Sequence, residues 1–354
     1  MLIINSMGMR MPSMTSGDGW MRIRRKLKSM AKVVRKPEPN TTVLSPLFLP
    51  MYGNGWTARL NRSFVSAQIR IVAAMVGPFT YRIVANPTAW PIAQNIGDGP
   101  IVFYRVDHFS ATEDVDRARI EALEDQAFAE ADSVFYASSA LMRNERDRHH
   151  GKAILLEHGV DLSLFDASVQ HDEPADLARI AHPRVVMMGS LEKSDRVAQT
   201  LEIAALVPEL QMVIIGGGVG KITSSSLPNV HFLGQKAPVE LPAYLAHVDV
   251  GLVVVARSEW GVAASPIKLT EYLAAGLPVV SSWFDGVEGF GDVVRFGTTV
   301  EEVAAAARTT AADQGPGTRA ERLDWVRSQG WDAKAREMLS VLAAISAAKA
   351  AELS

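Results

Sequence analysis

Ser265-Pro266-Ile267-Lys268-Leu269-Thr270-Glu271-Tyr272-Leu273-Ala274-Ala275-Gly276-Leu277-Pro278-Val279-Val280 reads as a helix with both ends marked, followed by a strand. Ser265 can cap the helix, Pro266 suits its first position, Gly276 suits the left-handed turn after it, and Pro278 forbids continuation. Val279–Ser282 then reads as a short buried strand. Lys268 and Glu271 stand three apart, so they share a helix face near its start. A lysine is electrostatically odd there, because a helix N-terminus already carries partial positive charge. An anion docked at that end relieves the oddity, and a diphosphate is the obvious one. Glu271, one turn on, is placed to accept hydrogen bonds from two ribose hydroxyls. An ordinary capped helix–strand unit with an incidental ion pair is the plainer alternative.

Outward from this stretch, strands and helices alternate in both directions. Downstream of a polar segment the reading gives strand 184–191, helix 194–206, strand 211–218, strand 230–235, helix 239–246 and strand 250–255. After the Ser265 helix come strands 279–283 and 293–296 and a largely helical, Ala-rich end. Upstream the reading gives strands at 2–5, 42–44, 79–84, 101–106, 133–137 and 153–157, with helices at 57–76, 113–131 and 138–149. Alternation of this kind implies parallel sheets with right-handed crossovers. The expected fold class is therefore α/β, two Rossmann-like domains facing a central cleft. The expected boundaries are an N-terminal domain at 1–165, a linker at 166–183, a C-terminal domain at 184–330 and a C-terminal helix at 331–354. Ligands of such sheets bind beyond the carboxyl ends of the strands, so function belongs in those loops.

Composition excludes several classes. The chain has 354 residues, 48% apolar and 21% charged, enough apolar mass for two cores. There is no cysteine, which removes disulfide scaffolds, thiolate metal sites and cysteine nucleophiles. The opening Met1–Asn5 run is too short and too weakly flanked for a secretory signal, and no apolar run approaches a membrane span. No His/Asp/Glu cluster has metal-ligand spacing, and no GxSxG elbow occurs.

Net charge is −3 but lopsided. Residues 1–82 hold 13 basic and two acidic side chains, a net +11, which leaves −14 for the other 272. Within this basic end, residues 20–36 carry Trp20, Ile23, Leu27, Met30 and Val34 at helical spacing beside eight basic residues. Such a helix either lies on an anionic lipid surface through Arg24, Arg25, Lys28 and Lys32, or packs its stripe on a core with a solvated basic face. No aromatic platform accompanies the charge, so nucleic acid is not an expected partner.

With these residues in view, the run Ser265–Val280 resembles the donor-binding helix of GT-B glycosyltransferases, family 4-like exopolysaccharide and teichuronic-type enzymes in particular. His158-Gly159-Val160-Asp161 followed by Phe165 is similar to the junction that ends their first half. The resemblance spans about residues 75–340. It implies that Lys268 binds donor phosphates and Glu271 the ribose, with Ser265, Pro266 and Ile267 at the helix start. Gly189, Ser190 and Lys193 fall where the family brings backbone N–H groups and a cation to the phosphates, and Arg196 is a second available cation. Gly216 opens the loop near the nucleoside, and Leu233 and Gly234 take the position whose backbone meets the base. Asp107 and His108, at the end of a first-domain strand, are the catalytic candidates with Lys268; the plainer alternative for Asp107 is a cap on the turn that follows it.

The resemblance implies a nucleotide diphosphate sugar donor (UDP-linked) and a lipid-linked or polysaccharide acceptor. It further implies no metal or other cofactor and a cytoplasmic enzyme held at the inner face of the membrane. Two departures are visible. The position eight before Glu271, usually a second glutamate in retaining relatives, is Ala263, and the nearest acid is Glu259. The pattern also has some similarity to the glucuronosyltransferase of xanthan assembly, which is inverting, so the stereochemical outcome stays open. The first strand–loop–helix unit of the family is not found, so the first domain is expected to be short. A sugar-nucleotide epimerase or a nucleotide-binding, non-catalytic relative are the alternatives.

Overall fold

The computed structural model describes residues 1–5, 33–47, 55–77, 79–97, 99–112, 115–191, 194–218, 224–255, 261, 265 and 267–352. Contacts divide the chain into two units. One comprises Met1–Ala137, Leu141–Leu155 and Ser340–Ser354; the other comprises Ser138–Ala140 and Leu156–Leu339.

In the first unit β1 (Leu2–Ile4) pairs in parallel with β3 (Thr41–Leu44), and β2 (Val34–Glu38) pairs antiparallel on β3's other side. Pro39 and Asn40 turn the chain between β2 and β3, as their fixed or tolerant backbones favour. Here the helix expected over 20–36 needs correction at its end. Val34, Arg35 and Lys36 lie in β2, where Val34 faces Leu44 and Arg35 faces Val43. Pairing with β3 overrides a helical pattern at that point. Pro37 is tolerated because β2 is an edge strand. The rest of that segment, with Arg24, Arg25, Lys28 and Lys32, lies outside the described residues.

Helix α1 (Gly55–Val76) follows, burying Val65, Ile69 and Val72 against Leu44 and Ile92. Then come β4 (Arg82–Val84), α2 (Trp90–Ala93), β5 (Ile101–Arg105), α3 (Arg117–Glu130), β6 (Ser133–Tyr136), α4 (Ser139–Asn144) and β7 (Ala153–Leu155). The four strands form a parallel sheet in the order β4-β5-β6-β7. Phe103 of β5 meets Trp90 and Phe128 edge-on at 6.0 and 5.4 Å, an arrangement ring quadrupoles favour.

The second unit is built on β8 (Arg184–Met188), α5 (Ser194–Leu206), β9 (Gln211–Ile215), β10 (Val230–Gly234), α6 (Leu241–Leu245), β11 (Val250–Val253), α7 (Ile267–Ala274), β12 (Val279–Ser282), β13 (Val294–Gly297), α8 (Val300–Asp313) and α9 (Arg319–Arg327). α10 (Trp331–Glu352) begins here and ends in the first unit. The sheet is six-stranded and parallel, ordered β10-β9-β8-β11-β12-β13.

Its strands are apolar on both faces, as a doubly covered parallel sheet requires. Val185, Met187, Met212 and Ile214 face a cluster with Val197 and Ile203 of α5 and Ala304 and Ala307 of α8. Their neighbours Val186, Met188, Val213 and Ile215 face the opposite cluster with Leu245, Leu269, Tyr272 and Val326. Residues 166–183, read from sequence as a linker, contribute Leu177 and Ile180 to that second cluster.

The His158–Phe165 junction is structural in part. Val160 donates to Gln329 O at 2.9 Å and accepts from the Trp331 N–H at 3.1 Å. A Cβ on Gly159 would stand 2.7 Å from the Trp331 ring, so only glycine admits this approach. Asp161 accepts the Ser163 and Leu164 amides, and the Ser163 hydroxyl and those amides hold its carboxyl below the usual range.

Candidate functional site

Chain order along the six-stranded sheet reverses beside β8: the chain runs β8 to β9 to β10 on one side, then crosses to β11 on the other. That reversal opens a crevice beyond the carboxyl ends of β8 and β11, where open α/β sheets bind ligands.

Three glycine loops follow the carboxyl ends of β8, β9 and β10. Gly189 donates its N–H to Ile215 O at 3.0 Å, Leu191 to Gly217 O at 3.1 Å, and Gly216 to Gly234 O at 2.9 Å. A Cβ on Gly216 would lie 1.8 Å from Gly189 O, so the first two loops touch backbone to backbone. The sequence-predicted Gly189, Ser190, Gly216, Leu233 and Gly234 are thus brought to adjacent loops. Gly234 adopts a left-handed φ of +72°, which glycine takes without steric cost.

Helix α7 is fixed to the same edge by Tyr272. Its fully buried hydroxyl accepts the Met188 N–H at 2.9 Å and donates to Val186 O at 3.3 Å. Burial pushes this phenol well above its ordinary value. A Cβ on Gly251 would sit 2.6 Å from the ring, so β11 needs glycine there for α7 to seat. The helix ends as its sequence demands: Leu277 donates to Tyr272 O and Gly276 to Leu273 O, a Schellman cap with Gly276 at φ +77°.

Lys268 stands one turn, about 6 Å along the helix axis, N-terminal to Tyr272 on α7. Its ammonium donates to Glu271 Oε2 at 2.6 Å, with side-chain exposures of 36% and 16%. Ser265 O accepts the Ile267 N–H at 3.0 Å as the helix begins. Pro266 and Lys193 lie outside the described residues, as do Glu259 and Ala263.

Arg196, in the first turn of α5, completes the edge. Its guanidinium lies under Gly189, where a Cβ would meet Nη1 at 2.8 Å. Its Nε is sealed from solvent and finds no acceptor among the described residues. Burial pulls this guanidinium below its ordinary range, and among the described residues the Tyr272 hydroxyl, rather than a carboxylate, acts against that. A partly buried guanidinium whose sealed Nε has no acceptor among the described residues is more favourably placed when an anion joins it. Sequence names Arg196 only as an available cation; its approach to the Gly189 backbone is a tertiary fact with no local signal.

Asp107 and His108 follow β5 in the first unit. Asp107 Oδ1 accepts the next residue's N–H, that of His108, at 2.9 Å, and Asp107 O accepts from Phe109 at 3.1 Å. The carboxylate therefore holds the backbone of His108, which precedes the short 3-10 turn Phe109–Ala111.

Residues 182–313 match the family of group 1 glycosyl transferases. Sucrose-phosphate synthase from Thermosynechococcus elongatus superposes with a TM-score of 0.68 at 16% identity, over 98% of this chain and 99% of that one. The fold is that of the GT-B glycosyltransferases. Anabaena HepE, solved with UDP-glucose, gives 0.64 at 16% identity over 97% of this chain and 99% of its own. In sequence, 175 residues are 29% identical to TuaH of Bacillus subtilis, named as a teichuronic acid biosynthesis glycosyltransferase. That match covers 47% of this chain and 44% of the relative, so the chain spans under half of TuaH.

Proposed function

We propose that this GT-B chain transfers a sugar from a nucleotide diphosphate donor, UDP-linked, to a lipid-linked or polysaccharide acceptor in cell-surface glycan synthesis. The observation that carries the reading is Arg196, whose sealed Nε has no partner among the described residues and whose Nη1 lies against Gly189 in the loop that ends β8. A diphosphate beside Gly189 and Ser190 would supply its missing counter-charge. The family match over 182–313 and the UDP-glucose bound by HepE support the donor class. The name of TuaH supports the acceptor class.

In this reading the Lys268–Glu271 pair opens when donor arrives. Lys268 turns to the phosphate oxygens, and Glu271 is released to the ribose hydroxyls. As the glycosidic bond breaks, negative charge grows on the leaving diphosphate. Lys268, Arg196 and the α7 N-terminus meet it with fixed positive potential, so the chemistry needs no metal. Asp107 is the proposed base for the acceptor hydroxyl, with His108 beside it. The basic residues Arg24, Arg25, Lys28 and Lys32 would hold the enzyme on the inner, anionic face of the membrane.

The test is slow release of UDP from UDP-sugars without acceptor, in the wild type and in Lys268→Ala and Glu271→Ala. We expect wild-type turnover and a loss of about tenfold or more in each variant, since one charged hydrogen bond carries about 1.5–3 kcal/mol. Equal rates in all three would remove the site. UDP binding with no release of sugar to water or to any acceptor would favour a non-catalytic relative.

A further inference from the structure

α1 has two apolar faces, and only one is buried among the described residues. Val65, Ile69 and Val72 are packed into the first unit's core at 1%, 2% and 7% exposure. On the opposite side Leu60, Phe64, Ile71 and Met75 are 47%, 43%, 66% and 82% exposed. Their spacings of four, seven and four place them within a stripe of about 60° on a helical wheel, roughly 120° from the core face. A soluble helix normally turns polar side chains to that side.

Charge says what covers the stripe. The 22 residues of α1 include Arg59, Arg62 and Arg70 and no acid. All three arginines are exposed and form no ion pair among the described residues; Arg70 only reaches the carbonyl of Asn95. Arg59 and Arg70 flank the stripe on one side. A second copy of the helix, or the chain's own basic segment 20–36, would bring like charges together. An anionic lipid surface accepts both the apolar stripe and its basic flank, with arginine heads at the phosphates and side chains in the interface. No described helix is long and apolar enough to cross a membrane, so the contact is with one surface only.

We infer that α1 lies on an anionic bilayer through Leu60, Phe64, Ile71 and Met75, flanked by Arg59 and Arg70. The inference rests on the membrane-acceptor reading above and deepens it, by assigning the contact to a folded helix instead of the basic segment alone. It also sets the first unit's orientation on the surface where a lipid-linked acceptor is found.

The experiment is vesicle flotation of the full chain without donor or acceptor, so its outcome is independent of transferase chemistry. Wild type should float with phosphatidylglycerol-containing vesicles at least tenfold more than with pure phosphatidylcholine. Ile71→Glu with Met75→Glu should cut that partitioning at least tenfold, with an unchanged melting temperature, because both side chains already face solvent. Met75→Cys supplies a second readout, since the chain has no other cysteine. An environment-sensitive dye there should shift to the blue on anionic vesicles. Undiminished flotation of the double variant, or unshifted dye emission on vesicles that do bind the protein, overturns the inference. So does self-association of the wild type that the double variant abolishes, which would name a second copy as the occupant. Failure of UDP-sugar turnover with intact, stripe-dependent flotation would instead remove the transferase reading and leave this surface standing.

Discussion

Two arginines, Arg105 in the first unit and the partly buried Arg196 in the second, have opposite surroundings. Arg105 at the end of β5 is fully enclosed, with Nη1 on Glu124, Nη2 on Glu145 Oε1 at 2.7 Å and Nε on Glu145 Oε2 at 3.1 Å. Ser110 joins Glu124, and the guanidinium stands 5.8 Å from the Phe128 ring centroid. Burial alone would pull this group down; the two carboxylates outweigh it and raise it above its ordinary range. Arg196 has burial and no carboxylate among the described residues, and it moves the other way. Burial of a cation is therefore no mark of function by itself. What matters is whether the protein completes the pairing or leaves it for a ligand.

The largest expected effect breaks the completed side. Arg105→Ala leaves the buried Glu124 and Glu145 only their weaker pairing with the partly exposed Arg148, at 3.6 and 3.1 Å, and should cost the first unit about 3–5 kcal/mol in chemical denaturation. Replacing Arg105, Glu124 and Glu145 together with methionine should restore most of it, since an apolar core of similar volume is often as stable as a buried ion cluster. A loss under about 1 kcal/mol in Arg105→Ala would show that the cluster is not the structural element described.

Next in size is Tyr272→Phe, which leaves the Met188 N–H without its partner and loosens α7 on β8. About 1–3 kcal/mol of stability should go, and UDP affinity should fall with it; stability and affinity both at wild-type level would contradict the placement of α7. Arg196→Ala should do the reverse of Arg105→Ala: removal of an uncompensated charge should leave the melting temperature unchanged or raise it. A large destabilisation would mean that the fold, not a ligand, uses this arginine.

The smallest effect is a pH dependence at His231 in β10. Burial holds its imidazole below the ordinary value of 6.5, while one ring nitrogen meets Gln211 Oε1 at 2.8 Å. The unfolded chain then takes up a proton before the folded one does. The contribution is intact above about pH 6.5 and is lost as pH falls through the depressed folded value. Comparing wild type with His231→Gln between pH 5 and 8 should show a shallower acid loss in the variant; identical profiles would remove the assignment.

Much of the second unit could be read from the chain. Ser265, Gly276 and Pro278 act within a few residues of where they stand, so the bounds of α7 were local information. The strands alternate Val185/Val186 and Met212/Val213 between two cores, and a continuous apolar run is the sequence form of that burial. Lys268 and Glu271 were legible as neighbours because helical spacing fixes them on one face. The Arg105 cluster was not, because Glu124 and Glu145 come from 19 and 40 residues away. Arg196 was visible as a charge but not as an unpaired one, since its isolation depends on how α5 meets the Gly189 loop. Val34–Glu38 misled for the same reason: the helical spacing of the preceding residues ran into a strand chosen by β3.

Calorimetric titration of UDP against uridine reads the central claim most directly, because the two ligands differ only in the diphosphate. The wild type should favour UDP by about a hundredfold, some 2.7 kcal/mol, and Arg196→Ala should reduce that preference to about tenfold or less. Equal affinity for UDP and uridine in the wild type would contradict a phosphate site at the Gly189 loop.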